Sequence, residues 1–182
     1  MKQIYLGLAI HNHQPVGNFP WVFDEVFNKA YLPMVQALER HPAVKLSLHY
    51  SGPLIDWLLE QHPEFLERVA GLVKRGQVEV MSGGYYEPIL PIIPDADKLG
   101  QISKLSQAIR ERFDQQPSGL WLAERVWEPH LPQSLAQAGI KWTLVDDTHF
   151  KLVGLDEKDL FGYYLTEEQG YVIKVFPSSK KL

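Results

Sequence analysis

Apolar positions along the chain follow two alternating periods. Residues 4–10 (IYLGLAI) form a near-continuous apolar run of strand length, residues 44–50 (VKLSLHY) alternate, and residues 77–81 (QVEVM) do so again before Ser82-Gly83-Gly84. Between them the spacing becomes helical. Residues 22–40 carry Val22, Phe23, Val26, Phe27, Ala30 and Leu38 at one face, with Pro33 expected to break or kink the helix. Residues 53–61 and 64–75 each follow a proline suited to a first helical turn, and residues 95–113 form a long amphipathic stretch opened by an aspartate. A short strand at 120–122, a short helix at 131–138 closed by Gly139, and a strand at 140–145 continue the alternation. Residues 161–165 and 171–176 flank a Glu-Glu-Gln-Gly turn and predict a hairpin. Strand followed by helix, four times over, predicts an α/β fold: a parallel sheet with helices packed outside it.

Composition narrows the picture without changing it. The 182 residues fit a single domain spanning 1–182, with no linker, repeat or low-complexity tract. A net charge of −4 provides no electrostatic footprint for nucleic acid. No apolar run approaches the ~18 residues of a membrane span, and the N-terminus lacks a small-residue cleavage site, so a cytoplasmic protein is expected. The absence of cysteine excludes thiolate catalysis and cysteine-based zinc sites. Five Trp and eight Tyr are many for this length. Several, including Trp21, Tyr50, Tyr85, Tyr86, Trp121 and Trp127, sit beside turns, as stacking platforms of a groove would, although core filling accounts for any one of them equally well.

The residues able to do chemistry fall just after each strand. These are His11-Asn-His13-Gln-Pro15, then His49-Tyr-Ser-Gly-Pro53, Gly83-Gly-Tyr-Tyr-Glu87-Pro88, Glu124-Arg-Val-Trp-Glu128-Pro129, and Asp146-Asp-Thr-His149. In parallel α/β folds the strand C-termini open on one face, so five units agreeing on this placement predict one site. His11 and His13 lie on the same side of an extended chain. They suit hydrogen bonding to sugar hydroxyls, ligation of a metal together with an acid or His149, or satisfaction of backbone groups; hydroxyl binding is the reading taken, with no metal or cofactor expected. Glu79 lies inside a strand, where a buried acid must be paired or hydrogen-bonded. Arg125 suits an ion pair as well as a ligand contact, and Glu128 is read as a helix cap. The segment Trp121-Leu-Ala-Glu-Arg-Val-Trp127 sets an acid between indoles, the pairing a sugar ring needs: an apolar face to stack on and a carboxylate for the anomeric carbon.

Three ordered motifs resemble glycoside hydrolase family 57, the family of α-amylases, 4-α-glucanotransferases, amylopullulanases and α-glucan branching enzymes. They are His13-Gln14-Pro15 with His11-Asn12 before it, Gly76-Gln-Val-Glu79-Val80, and Trp121-Leu-Ala-Glu124-Arg-Val-Trp127. The resemblance covers essentially the whole chain and is nearest to the amylase and 4-α-glucanotransferase branch. It implies the N-terminal part of an incomplete (β/α)7 barrel, and a retaining reaction on α-1,4-glucan or maltooligosaccharide with Glu124 as nucleophile. His13 would contact the sugar beside the cleaved bond, His11 and Glu79 would shape the same subsite, and Trp121 and Trp127 would wall it. His149 is taken as a further substrate-binding residue. The family's acid/base is an aspartate of a later motif that no part of these 182 residues matches, so turnover by this stretch alone is not expected; Asp146 and Asp147 are the nearest stand-ins. A barrel lacking its remaining strands would expose an edge and an apolar face, favouring a homo-oligomer or a C-terminal complement. Two other readings are a non-catalytic carbohydrate- or partner-binding domain on this fold, and a metal-dependent hydrolase or deacetylase on a related barrel using His11, His13 and an aspartate.

Overall fold

The structure, a computed structural model, describes residues 5–179. Strand β1 (Ala9–Asn12) is followed by α1 (Pro20–Val26), a π-helical turn (Phe27–Tyr31) and α2 (Leu32–Arg40). Then come β2 (Leu46–Tyr50), α3 (Gly52–Gln61), α4 (Pro63–Lys74), β3 (Val78–Met81), α5 (Asp95–Phe113), β4 (Gly119–Leu120), α6 (Leu131–Gln137), β5 (Trp142–Asp146), α7 (Asp147–Leu152), β6 (Tyr164–Glu168) and β7 (Tyr171–Ser178). Strands β1, β2 and β3 pair in parallel, as do β4, β5 and β7. The two sets are joined where Ser82 N–H donates to the Gly119 carbonyl and Trp121 N–H to the Ser82 carbonyl, at 2.9 and 2.7 Å. The resulting strand order is β1-β2-β3-β4-β5-β7-β6, with β6 the antiparallel edge. This is a mixed α/β fold built on parallel sheets.

The expected alternation holds, with local differences. Among the described residues strand pairing begins at Ala9, while Ile4 of the expected run lies outside them; Tyr5, Leu6 and Leu8 are exposed, beside a strand that is an edge with a neighbour on one side only. Pro33 does not break its helix. The turn before it widens so that Leu32 N–H reaches back five residues to the Phe27 carbonyl, which absorbs the clash and the missing donor of the proline. Residues 147–152, which follow the strand and carry no predicted element, form the short helix α7. Glu128 does not cap α6 with its side chain; that helix has no side-chain cap, and Glu128 supplies only its carbonyl, to Leu131 N–H.

Two apolar clusters carry the sheet. One packs α1–α5 on β2 and β3 through Phe27, Leu48, Tyr50, Leu54, Phe65 and Ile109; the other joins α6 to β4, β5 and β7 through Leu120, Leu135, Val145 and Ile173. Tyr50 and Tyr85 belong to this core, not to a groove. No helix among the described residues is long and apolar enough to cross a membrane.

Candidate active site

The C-terminal ends of β1–β3 and the turn after β4 meet around a cavity of about 300 Å³. His11 of β1 lies in register with His49 of β2 and Met81 of β3, so alternation puts the three side chains on one face. His11 Nδ1 is 2.9 Å from His49 Nδ1, one ring donating and the other accepting. His49 is fully buried, and Asn12 Nδ2 donates to its carbonyl at 3.0 Å. Trp121 completes the stack, its ring 4.7 Å from that of His11 and 6° from parallel. One turn further on, the Tyr31 hydroxyl donates to the His13 carbonyl at 3.0 Å and accepts from Gln14 Nε2 at 3.2 Å, which fixes the backbone that carries His13.

Glu87 is the member of the strand-end stretches to which sequence reasoning gives no role. It enters from the loop after β3, and its Oε2 is in direct contact with His13 Nδ1. Its Oε1 is buried, 3.4 Å from His11 Nε2 and 3.7 Å from His49 Nδ1, and makes no hydrogen bond. Glu124 enters on a tight turn, Ala123–Arg125, and lines the same cavity with His11, His13, Gln14 and Tyr86.

The backbone here is strained. Among the described residues five non-glycines have positive φ; Asp114 ends a helix and Gln169 lies in the hairpin turn. The other three, Glu87, Glu124 and Arg125, each with φ near 52°, sit at this site. Such residues cost of order 1–3 kcal/mol each and collect where function needs a side chain aimed against the local preference.

Electrostatics follow from burying several titratable groups together. Burial, reinforced by the Glu124 carboxylate, pushes the Glu87 carboxyl up to about 7. Burial, then repulsion from His13 and Arg125, brings His11 down to about 4. Burial also lowers His49 and His13; His11 and His13 add to the effect on His49, while the Glu124 charge partly offsets it on His13. The histidines therefore stay neutral, able to donate from one ring nitrogen and accept at the other. One donor atom from each of His11, His13 and Glu87 comes within 4.8 Å of the others. Because His13 Nδ1 and Glu87 Oε2 are in direct contact, with no room for an ion between them, we read this contact as proton-linked.

The structure thus brings together His11, His13 and Glu124, with Trp121 stacked behind the histidines and not itself lining the cavity. It does not bring the other predicted residues there. Glu79 pairs in register with Ser47, two residues before His49, so it lies one layer below, roughly 7 Å down the strands. It accepts from Ser118 Oγ at 2.8 Å and faces a separate cavity of about 560 Å³ at the opposite strand ends. Trp127 packs against the second core cluster, and His149 sits half-buried in α7. Arg125 Nε is 3.7 Å from Asp146 Oδ2, and Asp147 is bonded by Lys151 at 2.8 Å, so both aspartates are engaged by cations.

A parallel α/β chain with a carboxylate–histidine cleft at its strand C-termini defines the class. The sequence model of glycosyl hydrolase family 57 matches residues 7–182, and the chain belongs to that family. It is 55% identical over 181 residues to an α-amylase 1 of Dictyoglomus thermophilum, covering 100% of this chain and 26% of that protein. The crystal structure of a 4-α-glucanotransferase from Thermococcus litoralis superposes with a TM-score of 0.96 at 46% identity, over 99% of this chain and 28% of the other. A branching enzyme of Thermococcus kodakaraensis shares the fold at a TM-score of 0.79 and 17% identity, over 97% and 48%. The chain therefore spans about a quarter of the length of the amylase and glucanotransferase relatives.

Proposed function

We propose that the protein carrying this chain acts on α-1,4-glucans as a retaining hydrolase or transglycosylase with Glu124 as its nucleophile. In that reaction a Glu124 oxygen bonds to the anomeric carbon as the glycosidic C–O bond breaks and the leaving oxygen takes up a proton. Water or a second glucan's hydroxyl then releases the sugar from Glu124 and yields a proton in turn. The observation that carries the reading is that Glu124, on its strained turn, lines one cavity with two neutral histidines. Neutral imidazoles suit sugar hydroxyls, which both donate and accept. Tyr86, half exposed at the cavity and braced by the Lys104 ammonium over its ring at 4.6 Å, offers the face on which a sugar stacks. The names of the relatives, α-amylase and 4-α-glucanotransferase, support the substrate class. The same reading takes the sheet as the first part of an incomplete (β/α)7 barrel. We assign the acid/base to neither Asp146 nor Asp147, given their cation partners.

The test is product analysis, with maltoheptaose, of the whole protein that carries this chain. Shorter products, accompanied by longer ones if transfer occurs, are expected. Tight binding without any product would move the reading to a non-catalytic carbohydrate-binding domain, and neither binding nor product would remove it. Calorimetry on Tyr86→Ala is expected to show affinity weakened roughly five- to tenfold, the ~1 kcal/mol of a lost aromatic contact.

A further inference from the structure

The contact between Glu87 and His13 has its own chemistry. A ring nitrogen and a carboxylate oxygen in direct contact hold one proton between them, since two lone pairs would repel and two protons would collide. Two arrangements meet that condition without burying a full ion pair. In one, His13 carries its proton on Nδ1 and donates to an ionised Glu87, leaving Nε2 as an acceptor. In the other the pair holds one more proton: Glu87 is neutral and donates to Nδ1, and the ring proton sits on Nε2. His13 Nδ1 is buried, whereas the His13 side chain is about one-third exposed and lines the cavity. The other nitrogen is then the one left to meet a ligand.

We propose that Glu87 is a positioning residue of this site: by sharing a proton with His13 Nδ1 it decides whether His13 offers a hydrogen-bond donor or an acceptor to a sugar hydroxyl. The identity of that ligand rests on the glucan reading above; the proton linkage does not. The position is built for the task. Glu87 adopts φ 52° with no glycine to ease it, and its N–H donates to the carbonyl of Gly84, three residues earlier, at 3.0 Å, closing the loop that aims the carboxyl inward. The titratable groups facing Glu87 are His11 and His13 from β1 and its following loop, His49 from β2, and Glu124 from the turn after β4, with Arg125 of that turn acting on His11. Burial and the Glu124 charge favour the protonated Glu87 at mildly acidic pH, so His13 presents Nε2–H there and a bare Nε2 as pH rises through about 7.

Ring-nitrogen spectra of the full-length chain labelled with ¹⁵N-histidine read the tautomer directly, with the His13 signals assigned by their loss in His13→Asn. The expected result is a change from the Nε2–H to the Nδ1–H form between pH 6 and 8.5, at the same midpoint as the Glu87 side-chain carboxyl carbon. Glu87→Gln has no proton to lose; whichever end of its amide meets Nδ1, His13 is expected to keep one tautomer across the range. Maltoheptaose affinity should then vary several-fold with pH in the parent and stay flat in Glu87→Gln. A single His13 tautomer at all pH values in the parent, separate midpoints for the two groups, or a tautomer change that persists in Glu87→Gln would each overturn the proposal. The midpoint comparison needs only the parent, should the variant not fold. An intact tautomer switch without glucan binding would instead remove the glucan reading and leave the linkage standing.

Discussion

Glu124→Gln is expected to lower turnover of α-1,4-glucan by about a thousandfold or more while leaving the fold in place. The size follows from the role: an amide cannot form the glycosyl ester, and losing a nucleophile removes stabilisation made only on the way to the transition state, ~4 kcal/mol at the least. For the same reason kcat and kcat/KM should fall together, with KM changing little. The fold should survive because the Glu124 side chain lies on an exposed turn outside both apolar clusters, and glutamine tolerates the same backbone as well as glutamate does. One side effect has a definite sign. The Glu124 charge helps to raise the Glu87 carboxyl and to hold His13 up, so both should move downward in the variant. Activity within tenfold of the parent would remove Glu124 from the mechanism.

A large structural effect at the site itself is expected from Gly83→Ala. A Cβ at residue 83 would fall 2.5 Å from His49 Nε2 and 3.3 Å from the Trp121 carbonyl oxygen. Neither neighbour can withdraw cheaply. His49 is fully buried with its carbonyl held by Asn12 and its ring by His11, and Trp121 is tied by its N–H to Ser82. Overpacking of this kind costs ~1–3 kcal/mol, and here it pushes on the histidine stack itself. The first unfolding transition of the full-length chain should therefore shift down by several degrees, with glucan affinity reduced in parallel. Gly100→Ala is the control. It lies within α5 with nothing within 4 Å of the added carbon, so it should raise stability by ~0.5–1 kcal/mol without touching the site. Equal effects at the two glycines would contradict the packing described for His49.

Much of this was legible in the sequence. Period-two runs marked β2 and β3 because their alternate residues face the helices, and helical spacing marked α3 to α6 for the same reason. The start of β1 was not readable, since an apolar run does not reveal whether a neighbour covers it; Leu6 and Leu8 remain exposed at the edge. His11, His13 and Glu124 could be grouped because each directly follows or ends a strand. Glu79 misleads because it shares their face of the sheet, and only the register shows that it stands a layer lower. Glu87 could be placed at the strand-end face with its Gly-Gly-Tyr-Tyr-Glu-Pro stretch but could be given no role, because no periodicity there tells which way a side chain points. Its positive φ and its contact with His13 exist only once the loop has folded.

The central claim, that Glu124 attacks the anomeric carbon, is tested most directly by trapping the ester it forms. A 2-deoxy-2-fluoro glucosyl donor with a good leaving group slows release of the sugar from the enzyme, so peptide mass spectrometry of the full-length chain can locate the label. The account predicts one fluoroglucosyl unit on the peptide containing Glu124, and none on that peptide in Glu124→Gln. A label carried instead by Glu87, Asp146 or Asp147 would contradict it.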